Sequence, residues 1–262
     1  MKRTPMRVFR YGVLGILAGG LLGLAAAADK PAAAPAARPK YETRKFHDPN
    51  GIGKFYLGRE IAHVMGAVAA DWLERPEREE EEELTTLIES LNVRPGTVAA
   101  DIGAGSGVLT LRLAEKVGAE GKVLAVDIQQ EMLDLLAKKI KLQKIDNVEL
   151  VLGAERSPRV PPETLDLALM VDVYHEFAFP YEMLLDISRA MKPGGRVVFV
   201  EYRKEDPEVP IKEVHKMSQA QVKREAALPE LGLEWQETIH ALPRQHVIVF
   251  EKVARRQAPR DE

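Results

Sequence analysis

Short apolar runs alternate with amphipathic segments along most of the chain. The runs are rich in Val, Leu, Ile and Ala and stand at 97–102, 122–128, 147–152, 165–174 and 196–202. Between them, apolar residues recur at helical spacing, as in QEMLDLLAKKIKL, which begins at Gln130. Strands that alternate with helices form a parallel sheet with helices on both faces. We therefore expect an α/β, doubly wound fold with five parallel strands.

The last part of the chain has a different pattern. Two extended runs, 233–242 and 246–253, are joined by a short polar segment, which is typical of an antiparallel hairpin. Before them, Ser218 is followed three residues later by Gln221, a spacing that predicts the start of one more helix. The hairpin would bring the sheet to seven strands.

The segment before the sheet, 46–92, predicts a helical lid or cap. From Arg59 the run REIAHVMGAVAADWL places Ile61, Val64, Met65 and Val68 on one helical face. An acidic run from 77 to 83 precedes another apolar helical pattern, and acids in a first turn favour a solvated helix start. The core domain would then extend over 93–254, followed by a disordered tail at 255–262.

The N-terminus predicts export. Basic residues occur within 1–10, and 11–28 carries no charge and ends in small residues, which is typical of a signal peptide cleaved after Ala28. An uncleaved membrane anchor is the alternative, and it would be the only contact with a membrane. A Pro/Ala-rich linker at 29–45 follows. In both cases we expect the domain to be periplasmic or extracellular.

Composition narrows the chemistry. The 262-residue chain has a formal net charge of -3, which gives no basic face for nucleic acid. It has no cysteine, so disulfides and thiolate chemistry are excluded. Its six histidines are dispersed along the sequence without a His-x-x-x-His pair, so no metal site is predicted.

The loop DIGAGSG, which begins at Asp101, predicts a nucleoside site. Gly103, Gly105 and Gly107 lack the G-x-G-x-x-G spacing of dinucleotide binders, and no lysine of a phosphate loop follows. Asp101 would repel a pyrophosphate but attract a cation. Asp127 ends the second strand, where an acid accepts ribose hydroxyls. These features indicate a nucleoside with a positively charged, phosphate-free end, as in S-adenosylmethionine.

Four motifs together resemble the class I S-adenosylmethionine-dependent methyltransferases, which have a Rossmann-like fold. They are the Asp101 glycine motif, Asp127 after VLAV, LDLALMVDVYHEF and MKPGGRVVFVE, within about 93–253. The resemblance implies a cofactor site, whose residues are Asp101, Gly103, Ala104, Gly105 and Gly107 for the methionine moiety, Asp127 for the ribose, Ile128, Gly153, Ala154 and Glu155 for the adenine, and Asp172 for the amino acid end. Relatives often place an aspartate near Ala154, where this chain offers only Glu155.

The chemistry that the resemblance implies is methyl transfer to a small-molecule acceptor by in-line displacement. Alignment supplies most of the catalysis, with a base for an acidic acceptor. His175 and Glu176, in YHEF, are the candidates for that base and its orienting carboxylate. The candidates for the acceptor site are Tyr56, Arg59, Tyr174, Tyr202 and His215.

Two other functions stay open at this point. The cofactor is made in the cytosol, whereas the N-terminus predicts export. The alternative is therefore an exported, non-catalytic protein that binds a nucleoside or cofactor on the same fold. A nicotinamide-dependent oxidoreductase is disfavoured by the glycine spacing.

Overall fold

A computed structural model describes residues 40–254. The predicted signal peptide or anchor, most of the predicted linker and the predicted tail lie outside the described residues. Among the helices of 40–254, none is both long enough and apolar enough to cross a membrane.

The central sheet confirms the α/β fold that the alternating pattern predicts. Its five parallel strands are β4 (Val98–Ile102), β5 (Lys122–Asp127), β6 (Val148–Leu152), β7 (Leu165–Val171) and β8 (Met191–Arg203). The hairpin of β10 (Leu233–Ile239) and β11 (Gln245–Lys252) completes the order β10-β11-β8-β7-β4-β5-β6, with β11 antiparallel to β8. A two-residue strand, β9 (Lys216–Met217), also pairs with β8.

Helices cover both faces of this sheet. They are α4 (Val108–Val117), α5 (Gln130–Gln143), α6 (Pro180–Ala190) and α7 (Gln219–Ala226). Alternate residues of each strand enter opposite cores: on β8, Phe199 packs towards α6 and α7, and Val198 and Val200 pack towards α4. The hydroxyl of Ser218 accepts a hydrogen bond from the Gln221 amide at 3.1 Å, which confirms the predicted start of α7.

The N-terminal region is not the helical cap that the sequence predicts. Strands β1 (Tyr41–Thr43), β2 (Gly51–Tyr56) and β3 (Arg59–Ala62) form an antiparallel sheet, and β1 begins inside the predicted linker. The turn between β2 and β3 is Leu57-Gly58, with φ of 47° and 90°, as a two-residue hairpin turn requires. Leucine is uncommon at positive φ, so the sequence gives no usual signal for this turn. The apolar spacing from Arg59 therefore indicates a helix where the structure has β3.

The predicted helices of this region are present only after Gly66, in short pieces. They are a 3-10 turn at Ala67–Ala69 and α1 (Ala70–Leu73), α2 (Arg78–Glu82) and α3 (Leu84–Ser90). Val64 and Val68, expected on a buried face, are exposed. The acidic run is not fully solvated either, because Glu82 is buried and binds Arg75, Arg78 and the Tyr202 hydroxyl.

A buried ion pair fastens the N-terminal sheet to the central domain. The Arg59 guanidinium on β3 donates to both carboxylate oxygens of Glu225 on α7, at 2.8 and 3.0 Å. Tyr174 and Gln221 donate to the same carboxylate at 2.6 and 2.7 Å. Every oxygen of Glu225 is thus partnered, which a fully buried carboxylate requires.

We expect Arg59→Met to lower the free energy of unfolding by about 3 kcal/mol or more, because it leaves the Glu225 carboxylate buried without its cation. Urea denaturation measures the change. Lys122→Met is the matched control, since its pair with Glu149 is half exposed and its loss should cost within about 0.5 kcal/mol. Equal effects of the two variants would contradict the buried pair's role.

Candidate active site

A cavity of about 410 Å³ opens at the carboxyl ends of the parallel strands. Parallel sheets bind ligands at this edge, beside the strand where the chain reverses its order, which here is β4. Of the predicted site residues, eleven line the cavity: Gly103, Gly105, Asp127, Ile128, Ala154, Glu155, Asp172, His175, Glu176, Tyr202 and His215. Gly153 lines it too.

The glycine loop after β4 lies against the next strand and the N-terminal segment. The amides of Gly103 and Ala104 donate to the Val126 carbonyl on β5, at 2.8 and 3.0 Å. Gly103 has a φ of 77°, and a Cβ on it would lie 2.4 Å from the Val173 side chain, which lines the cavity. A side chain at this position would therefore reshape the cavity wall.

Asp127 combines a structural role with a place in the cavity wall. Its two carboxylate oxygens accept hydrogen bonds from the amides of Gly105 (2.8 Å) and Gln129 (2.9 Å). Burial raises the pKa of Asp127, and the hydrogen bonds from these two amides oppose the rise. The carboxylate thus links the glycine loop to the start of α5, and each oxygen keeps a second lone pair for a ligand hydroxyl.

Asp172, directly after β7, presents an unused acceptor. Its backbone is left-handed, with a φ of 50°, a conformation that a non-glycine residue adopts at a cost. Gln245 donates to Oδ2 at 3.2 Å, whereas Oδ1 is buried and accepts no hydrogen bond from any group within 40–254. Burial, followed by the nearby carboxylates of Glu82 and Glu201, raises the pKa of Asp172 well above its ordinary value. A cationic ligand would restore the charged form.

His175, Glu176 and His215 meet on one wall of the cavity. His175 and Glu176 lie in a 3-10 turn after β7, and His215 lies in another turn after β8. His175 Nδ1 is 2.6 Å from Glu201 Oε2, and His175 Nε2 is 3.0 Å from His215 Nδ1. Burial lowers the pKa of both histidines to about 4 and raises that of Glu176 to about 7. Both rings are therefore neutral at neutral pH.

Two of the histidines that are far apart in the sequence, His175 and His215, are neighbours in the fold. Parallel strands β7 and β8 are neighbours, so the turns that follow them lie together although 40 positions separate His175 from His215. Separation along the sequence therefore does not exclude a metal site at these two residues.

Six predicted site residues do not line this cavity. Arg59, Tyr174 and Tyr56 have buried side chains outside its lining, and the first two are bound to Glu225. Arg59 does pair with a carboxylate, but with one of the protein's own. Its Nη1 donates to the His175 carbonyl at 3.0 Å, so it supports the turn that carries the histidine.

The other three belong to the loop itself. Asp101 and Ala104 line a smaller cavity of about 40 Å³, which shares Arg78 and Gly103 with the main one. Asp101 accepts a 2.6 Å hydrogen bond from the Thr110 hydroxyl, so it fastens β4 to α4, and burial raises its pKa to about 6. Gly107 faces Leu136 in the core.

Sequence reasoning missed several residues of the cavity. Arg78 contributes a buried cation to the wall, and Glu201 binds His175. The side-chain amide of Gln129 holds the N-terminal segment: its Nε2 donates to the Met65 carbonyl at 3.0 Å, and its Oε1 accepts from the Ala67 amide at 2.9 Å. Glu201 could have been found from the sequence, because it follows directly on the apolar residues of β8. A carboxylate in a buried strand needs a partner.

A family model described as a methyltransferase domain matches residues 94–244, more than half of the chain. The chain belongs to this methyltransferase family. Its fold is that of a solved S-adenosylmethionine-dependent methyltransferase from Aquifex aeolicus, which is 22% identical, with a TM-score of 0.67 over 72% of this chain and 100% of that one. The cofactor in the description of that enzyme is the one that the four sequence motifs imply for this chain.

Curated methyltransferases show similarity over a shorter stretch. A demethylmenaquinone methyltransferase of Bacillus cereus is 30% identical over 111 residues, 42% of this chain and 47% of that protein. A ubiquinone/menaquinone biosynthesis C-methyltransferase of Marinomonas sp. is 31% identical over 123 residues, 47% of this chain and 49% of that protein. The chain spans about half the length of the curated relatives it matches.

The residues of the methyltransferase cavity fit this cofactor. The unpartnered Oδ1 of Asp172 suits an α-ammonium group, and Asp127 ends β5 with lone pairs to accept hydroxyls. Gly103 and Gly105 line the cavity without side chains of their own. S-adenosylmethionine has no phosphate group, so these carboxylates would not repel it as they would a nucleotide.

We expect Gly103→Ala in the methyltransferase to weaken S-adenosylmethionine binding at least about tenfold, because the new Cβ overlaps Val173 and strains the backbone. Calorimetric titration measures the affinity. Gly118→Ala is the matched control: Gly118 also has a positive φ, of 67°, but a Cβ there meets nothing within 4 Å. Unchanged affinity in Gly103→Ala would contradict the assignment of the loop.

Proposed function

We propose that this protein transfers a methyl group from S-adenosylmethionine to a small-molecule acceptor by in-line displacement. The observation that carries the proposal is the cavity at the switch point of a methyltransferase sheet, with Asp127 and the unpartnered Asp172 in its wall. The cofactor, when bound, supplies a methyl group already activated on a sulfonium. The protein then has to align the acceptor and exclude water.

Opposite charges in the wall suit the amino acid end of the cofactor. Asp172 would receive the ammonium group, and Arg78, which also lines the cavity, would receive the carboxylate. Asp127 would take the ribose hydroxyls. Ile128, Ala154 and Glu155 would surround the adenine, and Ile128, with 42% of its surface exposed, offers an apolar face for it.

The acceptor would lie beside His175, Glu176 and His215. Apolar side chains of the N-terminal segment, Val64, Met65 and Trp72, line the cavity with them. This combination suits a largely apolar acceptor that carries a polar group, and the similarity to quinone-pathway methyltransferases supports a quinol-like ring. His175 Nδ1 lies 2.6 Å from Glu201 and its Nε2 lies 3.0 Å from His215 Nδ1, so the linked pair of histidines would form the polar end of the acceptor site.

Calorimetric titration and a turnover assay test this proposal. We expect micromolar binding of S-adenosylmethionine that is abolished in Asp127→Ala, since the variant loses both the ribose acceptor and the link to the glycine loop. Asp146→Ala, at an exposed aspartate, is the control.

Methylation of a demethylated quinol, followed by mass spectrometry, completes the test. No binding at millimolar cofactor would overturn the cofactor site. Binding without turnover on a broad acceptor panel would favour the non-catalytic alternative.

Export is a further part of the proposal, supported by the basic and apolar pattern of 1–28. N-terminal sequencing of the protein from its native host tests it. We expect the mature chain to begin at Asp29 in an exported fraction. A chain that begins at Met1 in a membrane fraction would indicate the anchor instead, and one in the cytosol would contradict export.

A further inference from the structure

Three potential metal ligands converge on the cavity wall. His175 Nε2, His215 Nδ1 and Glu176 Oε1 all lie within 4.8 Å of one another. The two nitrogens are 3.0 Å apart, and the Glu176 oxygen is 3.9 Å from each of them. All three residues line the cavity.

These distances are close to those of a coordination sphere. With metal–ligand bonds of about 2.1 Å, neighbouring ligands are about 3.0 Å apart in an octahedron and about 3.4 Å apart in a tetrahedron. The two histidines are already at such a separation. Glu176 would have to move by less than about 1 Å, which a rotation of its side chain supplies.

The ring of His175 is held as a ligand ring would be. Its Nδ1 lies 2.6 Å from the carboxylate of Glu201, which is fully buried in β8. A carboxylate that accepts the Nδ1 proton leaves the lone pair on Nε2, the atom that faces His215 and Glu176. Metal-bound histidines are typically oriented by such a carboxylate.

The surrounding charges also favour a cation. Three carboxyl groups approach this wall: Glu176 lies 3.9 Å from His175 Nε2, Glu201 lies 2.6 Å from His175 Nδ1, and Asp172 lines the same cavity. Arg59, the cation that contacts His175, is already paired with Glu225. Within 40–254, Glu201 Oε1 and Asp172 Oδ1 are buried and accept no hydrogen bond, so a nearby cation would stabilise both carboxylates.

We propose that His175, His215 and Glu176 form a binding site for a divalent transition-metal cation, with Glu201 orienting His175. Two imidazoles and one carboxylate suit zinc, iron, cobalt or nickel better than magnesium or calcium. The remaining coordination positions face the cavity. If the proposed methyl transfer is correct, they would receive an oxygen of the acceptor and so position it.

Direct metal binding tests this site without cofactor or acceptor, so its outcome is independent of the proposed function. The full chain, purified without a histidine tag and stripped with a chelator, is titrated with Co²⁺. We expect one equivalent to bind, with visible d–d absorption and displacement by Zn²⁺. The melting temperature should rise with Co²⁺, because the ion binds the folded state.

Matched variants locate the site. His215→Ala and Glu176→Gln should each weaken Co²⁺ binding about 100-fold or more, and Glu201→Gln about 10-fold to 100-fold. His240→Ala, at an exposed histidine in the segment after β10, should leave the affinity unchanged. Circular dichroism verifies that each variant is folded, and Glu176→Gln retains the shape of the side chain.

The alternative is a chain of hydrogen bonds from Glu201 through His175 to His215, with no metal. It predicts no saturable Co²⁺ binding, or binding that is the same in His215→Ala and Glu176→Gln as in the unmodified chain. Either result would overturn the proposal.

Discussion

The buried pair of Arg59 and Glu225 is the interaction on which the arrangement of the site depends. It joins β3 of the N-terminal sheet to α7 of the central domain, and the same guanidinium holds the carbonyl of His175. Tyr174 donates to the same Glu225 carboxylate, so the turn that contains Tyr174 and His175 is held by two contacts, one from Glu225 and one from Arg59. Compared with apolar residues of similar volume, a buried ion pair adds little net stability, although the removal of one partner is costly. Its geometry is strict. Here that geometry positions a cavity wall.

The carboxylates in and around the cavity have two roles. Asp101 and Glu225, which do not line the main cavity, accept hydrogen bonds from Thr110 and Arg59 and so stabilise the fold. Asp127 and Asp172 keep acceptor capacity towards the cavity, and Asp172 does so from a left-handed backbone. Because burial makes an unpartnered carboxylate costly, a cationic ligand would stabilise Asp172 in particular.

The sequence predicted the central domain well because its signals are local. Apolar runs, helical spacing and the cap at Ser218 each depend on neighbouring residues, and the glycine spacing argued against a dinucleotide site from one short loop. The N-terminal sheet was missed because a Leu57-Gly58 turn lacks the usual residues, and its strands match a helical pattern from Arg59. The contacts of Glu82, Glu201 and His215 join distant segments, so no local pattern reports them.

The cavity wall is drawn from two stretches of chain with different relationships to known proteins. The family match begins at residue 94 and includes the strand ends that would hold the cofactor. Val64, Met65, Trp72 and Leu73, which line the opposite part, precede it. Under the proposed function, the acceptor would therefore contact both stretches, with its apolar side against 64–73 and its polar side against His175 and His215. An exchange of residues 40–92 would alter that apolar side together with Arg78, and would leave the strand ends that face the cofactor in place.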